Sequence, residues 1–225
     1  MLKIEMVLTK KQLKSFIMLP FALYKNDPAW VPPLIPEQVK FFDARKNPYY
    51  WHSQVQLFIA TQDDKVVGRI SAHTNTQHQK EHNEDIGFFG FFECVNDPKV
   101  AKLLIDTAAD WNRQKGFSSM RGPMNFSVNQ EVGLLIDGFS DPPMVMMPHA
   151  LPYYQELFAS CGLTKTMDMY AYLSERREMP ERVQRLAAAI EKRAGVSIRS
   201  LAKDKKQLRK DIETVFEIYT KAWEY

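Results

Sequence analysis

The 225-residue chain holds only two cysteines, Cys94 and Cys161. They stand far apart, and neither has a neighbouring cysteine or the spacing of a zinc site. That excludes a disulfide framework or a cysteine-bound structural metal, and the expectation is two buried, reduced thiols. Long apolar runs are missing as well. Lys3 and Glu5 precede any apolar stretch, and FIMLPFALY at 16–24 is broken by Pro20 and followed by Lys25. Neither a signal peptide nor a membrane span, which needs about 20 apolar residues, fits such a pattern, so a cytoplasmic location and no membrane partner are expected. No glycine and lysine stand at phosphate-loop spacing. Net charge is only +3, too little to mark the whole chain as a nucleic-acid binder.

What charge there is gathers in one place. Between Ser174 and Asp211 stand twelve Lys and Arg against six Asp and Glu, and the remainder is slightly acidic. No aromatic stacking motif accompanies this arm, so a solvated helical linker is expected and nucleic acid is not. Hydrophobic residues make up 45% of the chain and aromatics 12%, enough to build a core in one large domain, or in one domain and part of another.

A short strand is expected at 3–8. Leu13, Ile17, Phe21 and Tyr24 then recur at helical spacing, with Pro20 bending or shortening the helix. The proline-rich NDPAWVPPLIP precludes regular structure, and PEQVKFFDA at 36–44 restarts a helix with Pro36 first. VQLFIA (55–60) and VVGRISAHT (66–74) flank the turn TQDDK as a hairpin. IGFFGFFEC (86–94) carries phenylalanine at consecutive positions, which points to a central strand covered on both faces. Gly87 and Gly90 suggest a bulge or a close backbone approach. Asp97 and Pro98 open a helix with the stripe Val100, Leu104, Ala108 and Trp111, and Gly116 closes it. Strands at 117–122 and 132–137, a helix in LPYYQELFASCGL (151–163) and a strand at 165–173 complete one mixed α/β sheet.

A repeat follows. KKQLR at 205–209 echoes KKQLK at 10–14, and the same offset pairs Leu13 with Leu208, Ile17 with Ile212, Phe21 with Phe216 and Tyr24 with Tyr219. The reading is one α/β domain over 1–175, a basic helical linker over 176–195, and over 196–225 the truncated start of a second copy whose first strand is VSIRSL. The stripe on the 204–223 helix then lacks its own sheet, and association through it is expected.

The element order and the stretches GFFECVNDPKVAKLL, RGPMNFSVNQEVGLLIDGF and YYQELFASCGL resemble the GNAT acyltransferase superfamily. They resemble more closely a bacterial group with two tandem acyltransferase-type domains. That resemblance implies a central, mixed, twisted sheet flanked by helices, with acetyl-CoA as cosubstrate and a small-molecule or peptide amine as acceptor. In the superfamily a glycine-rich loop before a helix holds the coenzyme pyrophosphate on backbone amides. The corresponding CVNDPKV has no glycine, Asp97 sets a negative charge at the helix start and Pro98 removes a donor. The resemblance therefore implies that the coenzyme loop belongs to the second copy.

Family enzymes often place a proton-donating tyrosine four residues before the closing glycine, and Phe158 stands there. Tyr153 and Tyr154 could substitute if they face the cleft, or they pack their rings against the sheet. Glu93, at the end of the central strand, is the candidate general base, with Glu131 second. A strand-end glutamate facing water is the plainer reading of Glu93. Arg121, Asn125, Ser127, Asn129 and Glu131 make a polar loop that lines a substrate pocket or bonds its own backbone. His78 and His82 sit four apart, but the surrounding QHQKEHNED reads as a polar linker without the HExxH order, so no metal is expected. Three readings stay open: an acyltransferase, a recognition domain without turnover, and an aminoacyl-transferring relative that depends on charged transfer RNA.

Overall fold

Asp63 and Asp64 both take left-handed backbone, with φ of 49° and 62°. Two such residues in succession form the tight turn whose twist matches flanking strands. They join β2 (Val55–Gln62) to β3 (Lys65–His73) as the TQDDK pattern predicts. β1 (Leu2–Met6) adds antiparallel to β2, and β4 (Ile86–Cys94) antiparallel to β3. α4 (Pro98–Gln114) then carries the chain over to β5 (Ser119–Arg121), which runs parallel to β4. The result is a mixed α+β architecture around one five-stranded sheet in the order β1-β2-β3-β4-β5. The computed structural model describes residues 1–175, 178–195 and 199–223, in two compact units, Met1–Met169 and Tyr170–Tyr225. Among the described residues no helix is long and apolar enough to cross a membrane.

β4 lies second from the edge rather than in the middle, paired on both sides. Its two-faced apolar pattern serves two cores. Phe89, Phe92 and Cys94 join Val100, Leu104 and Ala108 of α4 on one face, and Phe91 joins Phe16 and Ile17 of α1 (Lys10–Leu23) on the other. Strict alternation would put residues 89 and 91 together. The register slips by one residue opposite Arg69 and Ser71, and Phe91 sits at φ 49°. This bulge reverses the alternation and turns Glu93, paired with Arg69, toward the α1 face. Gly90 is required here, because a Cβ would stand 1.9 Å from the Met124 carbonyl oxygen.

α1 begins on a capping box between Thr9 and Gln12. It also runs through Pro20, contrary to the expected break. Proline there deprives the Phe16 carbonyl of its helical donor, and Arg69 replaces it with a 2.9 Å hydrogen bond. α2 (Ile35–Phe41) starts one residue early, with Pro36 second. QHQKEHNED proves to contain a helix, α3 (Thr76–His82), because the Asn75 side chain caps Gln77 and His78. α5 (Tyr154–Ser160) is shorter than the opening proline suggests.

Two expected strands do not form. Residues 132–137 contribute only a bridge from Val132 to Met124. The chain doubles back at Phe126 (φ 80°), so Asn125 N bonds Glu131 O and Gly133 N bonds Pro123 O, and Gly133 at φ 91° leaves the extended region. Residues 165–173 have no ladder, and Met167, Met169, Tyr170, Tyr172 and Leu173 are exposed. β5 ends after three residues and offers little edge for pairing.

In the second unit, α6 (Glu181–Ala194) and α7 (Lys205–Trp223) are both helical. Val196–Ile198 of the expected strand lie outside the described residues, and Arg199–Leu201 form no strand. Asp204 caps α7 at Lys206 and Gln207, as Thr9 caps α1.

Candidate functional site

Beyond the bulge, the sheet meets α1, the loop after it and the segment before α5 around a cleft of ≈ 330 Å³. Its lining is about half apolar, with Trp30, Val31, Phe41, Val145, Met146 and Phe158 among the apolar residues. Several of these, Val145 most of all at 91%, are open to solvent. The polar side chains in the lining include Arg69, Glu93, Asn125, Glu131, His149 and Tyr154.

Glu93 is not the water-facing strand end that the plainer sequence reading expects. Its side chain is only 12% exposed. Oε2 accepts hydrogen bonds from Tyr24 Oη at 2.8 Å and Tyr154 Oη at 2.7 Å. Oε1 has the longer Arg69 contact at 3.5 Å, which leaves it the acceptor capacity for a ligand. Burial lifts the Glu93 carboxyl above the usual range, and Arg69 and the two phenols offset only part of that rise. The same burial, reinforced by the nearby carboxylate, pushes both phenols well above the ordinary tyrosine range. They stay protonated and act as donors.

Tyr154 is fixed from both sides, since its oxygen also accepts the Cys94 amide at 3.0 Å. Tyr153 turns away and donates to the Cys94 carbonyl at 2.7 Å. The neighbouring tyrosines of α5 thus have different tasks, and only Tyr154 lines the cleft. Phe158, one turn later, packs against Phe89 and Phe92 and has no proton to give.

The polar loop divides. Asn125 accepts the bulged Phe91 amide at 2.7 Å and donates to Glu131 at 2.7 Å. Crowding raises the Glu131 carboxyl too, although the residue as a whole remains exposed, so water blunts the effect. Arg121 instead pairs with Glu84 at 3.1 Å. The Ser127 hydroxyl accepts the Asn129 amide at 3.3 Å, and neither residue lines the cleft. His78 bonds Glu84 at 2.8 Å and lies beside His82. Among the described residues no cluster of three or more His, Cys, Asp or Glu is gathered for a metal.

Tyr24, Arg69, Asp27 and His149 were not singled out as site residues in the sequence. Arg69 gave a signal, a charge in the middle of an apolar strand, which must find a partner when buried. Tyr24 stood hidden in the core stripe of α1. His149, in PPMVMMPHA, gave no signal.

The residues before α4 do not fit an anionic coenzyme. The Asp97 carboxylate accepts the Lys99 amide at 2.8 Å, Pro98 has no donor, and a negative charge already occupies the helix start. The outer edge of β4 is also taken. The Phe89 carbonyl meets Met124 N, the Phe91 amide meets Asn125, and both Cys94 backbone groups meet tyrosines.

No family model matches the chain. It is 34% identical over 220 residues to protein YghO of Escherichia coli K12, covering 97% of this chain and 55% of that protein. It is 39% identical over 223 residues to a bacterial ceramide synthase of Caulobacter vibrioides, covering 96% of this chain and 56% of that one. The chain thus spans about half the length of the curated relatives it matches. Among solved structures it is similar to an aminoglycoside acetyltransferase from an uncultured soil metagenomic sample, in complex with trehalose. That likeness has 14% identity and a TM-score of 0.46 over 78% of this chain and 97% of that one. It is also similar to the aminoglycoside N-acetyltransferase AAC(6')-Iy with CoA, at 17% identity and a TM-score of 0.46 over 78% and 96%.

Proposed function

We propose that this chain is the acceptor-binding part of an N-acyltransferase, and that its acceptor is an amine carried on an apolar body. The observation behind this reading is the buried Glu93 carboxylate, held by two phenols in a cleft whose lining is about half apolar. Oε1 has only the long Arg69 contact at 3.5 Å, so an ammonium group can add a closer charged N–H donor there, and the apolar part of the lining suits a hydrocarbon. Tyr24 and Tyr154 fix the carboxylate, so that its orientation is set before the ligand arrives. Asn125 and Glu131 add polar contacts. The name of the Caulobacter relative, a ceramide synthase, denotes joining an acyl group to an amine, which agrees with this reading.

The acyl donor in the GNAT resemblance is an acyl-CoA, acetyl-CoA in the simplest case. Since the segment before α4 does not fit it, the reading assigns the donor to a second copy of the fold that starts near residue 196. Support comes from the repeat. Thr9 and Asp204, at the same offset as the repeated letters, both cap their helices. The second reading, a recognition domain without turnover, draws on the same occupied helix start.

Incubation with dodecylamine and an acyl-CoA, read by mass spectrometry, separates the two. Amide formation that Glu93→Gln abolishes supports the acyltransferase. Saturable dodecylamine binding without amide, in a protein that also contains the second copy, leaves recognition alone.

A further inference from the structure

His149 and Asp27 form a pair on the cleft that the preceding roles do not use. His149 Nε2 lies 2.8 Å from Asp27 Oδ2, and the His149 side chain is only 6% exposed. Its other ring nitrogen, Nδ1, is buried without a protein partner, whereas buried polar atoms nearly always have one. The ring lines the same cleft as Glu93. It also stands 5.4 Å from the Tyr24 ring, whose hydroxyl holds Glu93.

Asp27 determines which nitrogen is free. Its Oδ1 accepts the Ala29 amide at 2.9 Å, which fixes the carboxylate. Burial works to raise the Asp27 carboxyl, but the bonds from His149 and Ala29 outweigh it and hold it below the usual range. An ionised carboxylate only accepts hydrogen bonds, so Nε2 carries the hydrogen and the neutral ring keeps its lone pair on Nδ1.

We propose that His149, oriented by Asp27, is the general base that takes the proton of the acceptor amine. This rests on the reading of the cleft as an amine site. An N–H bond of the ammonium breaks, and its electron pair stays on nitrogen as the nucleophile. The proton forms an N–H bond at Nδ1, and Asp27 balances the imidazolium. Amines are much stronger bases than imidazole, so the transfer is transient and the resting complex is a hydrogen bond from the ammonium to Nδ1. A mere clasp between the loops carrying Asp27 and His149 has no need of a buried ring nitrogen left without a partner.

Nitrogen-15 NMR of the histidine rings tests the proposal, with His149 assigned through His149→Gln. Glutamine can keep a donor to Asp27 but has no basic nitrogen. The free protein should show the Nε2–H form. Dodecylamine should shift the Nδ1 resonance, and dodecyltrimethylammonium, which has the same chain and charge but no N–H, should not. His149→Gln should lower any amide formation by roughly 10²–10⁴-fold, a far larger loss than it causes in dodecylamine binding. An Nδ1–H form in the free protein, or equal shifts with both ligands, overturns the assignment and leaves the amine reading standing. Absence of dodecylamine binding overturns both.

Discussion

The guanidinium of Arg69 donates at 2.9 Å to the carbonyl of Phe16, the acceptor left open by Pro20 one turn further along α1. The same side chain faces Glu93 across the β3–β4 register. A helix that contains proline and a strand that contains a buried acid therefore depend on one residue.

Arg69→Met should unfold at markedly lower denaturant, with a loss of about 3–5 kcal/mol, the usual cost of leaving one partner of a buried pair uncompensated. Adding Glu93→Gln should recover part of it. Equal stability of Arg69→Met and wild type in urea titrations would contradict the dual role.

Glu93 also sets a pH dependence. Its carboxyl is raised in the fold, so the stability it contributes is complete below the unfolded value of about 4.3. That contribution is lost as pH rises through the folded value. Wild type should lose stability relative to Glu93→Gln from about pH 4 upward and then level off. Denaturation curves that run parallel from pH 4 to 8 would show that burial does not govern this carboxyl.

Gly90→Ala should cost about 1–3 kcal/mol, because its Cβ would meet backbone rather than a side chain that can move. The melting temperature should fall by about 2–4 °C for each kcal/mol. An unchanged melting temperature would mean that the Met124 loop gives way freely.

On α7, Phe216 is 66% exposed and Tyr219 56%. Sedimentation velocity should reveal concentration-dependent association that Phe216→Ser with Tyr219→Ser removes. A monomer at all concentrations argues against α7 as a contact surface.

Much of the sheet was legible because local chemistry dictated it. The aspartate turn, the capping residue Asp97 and the aromatic run of β4 each act over a few residues. The failures were long-range. Residues 132–137 look like a strand, but their partner is a loop closing on itself, and the Phe16 carbonyl that Pro20 leaves open is satisfied by Arg69, 53 positions from Phe16 in sequence. The site divided in the same way. Glu93 and Tyr154 could be proposed from the family-like pattern, whereas Asp27 and His149 meet across 122 positions and no spacing rule connects them. Arg121, Ser127 and Asn129 share a polar loop with Asn125 and Glu131, yet the turn at Phe126 sorts them onto different surfaces.

The central claim is that the cleft takes an amine on an apolar body through Glu93, and isothermal calorimetry tests it most directly. Dodecylamine should bind saturably, dodecanol and the Glu93→Gln variant should each weaken the interaction at least about tenfold, near 1.4 kcal/mol, and acetyl-CoA alone should give no low-micromolar binding to residues 1–225. Equal binding of dodecylamine and dodecanol, or an unchanged affinity in Glu93→Gln, would contradict the account.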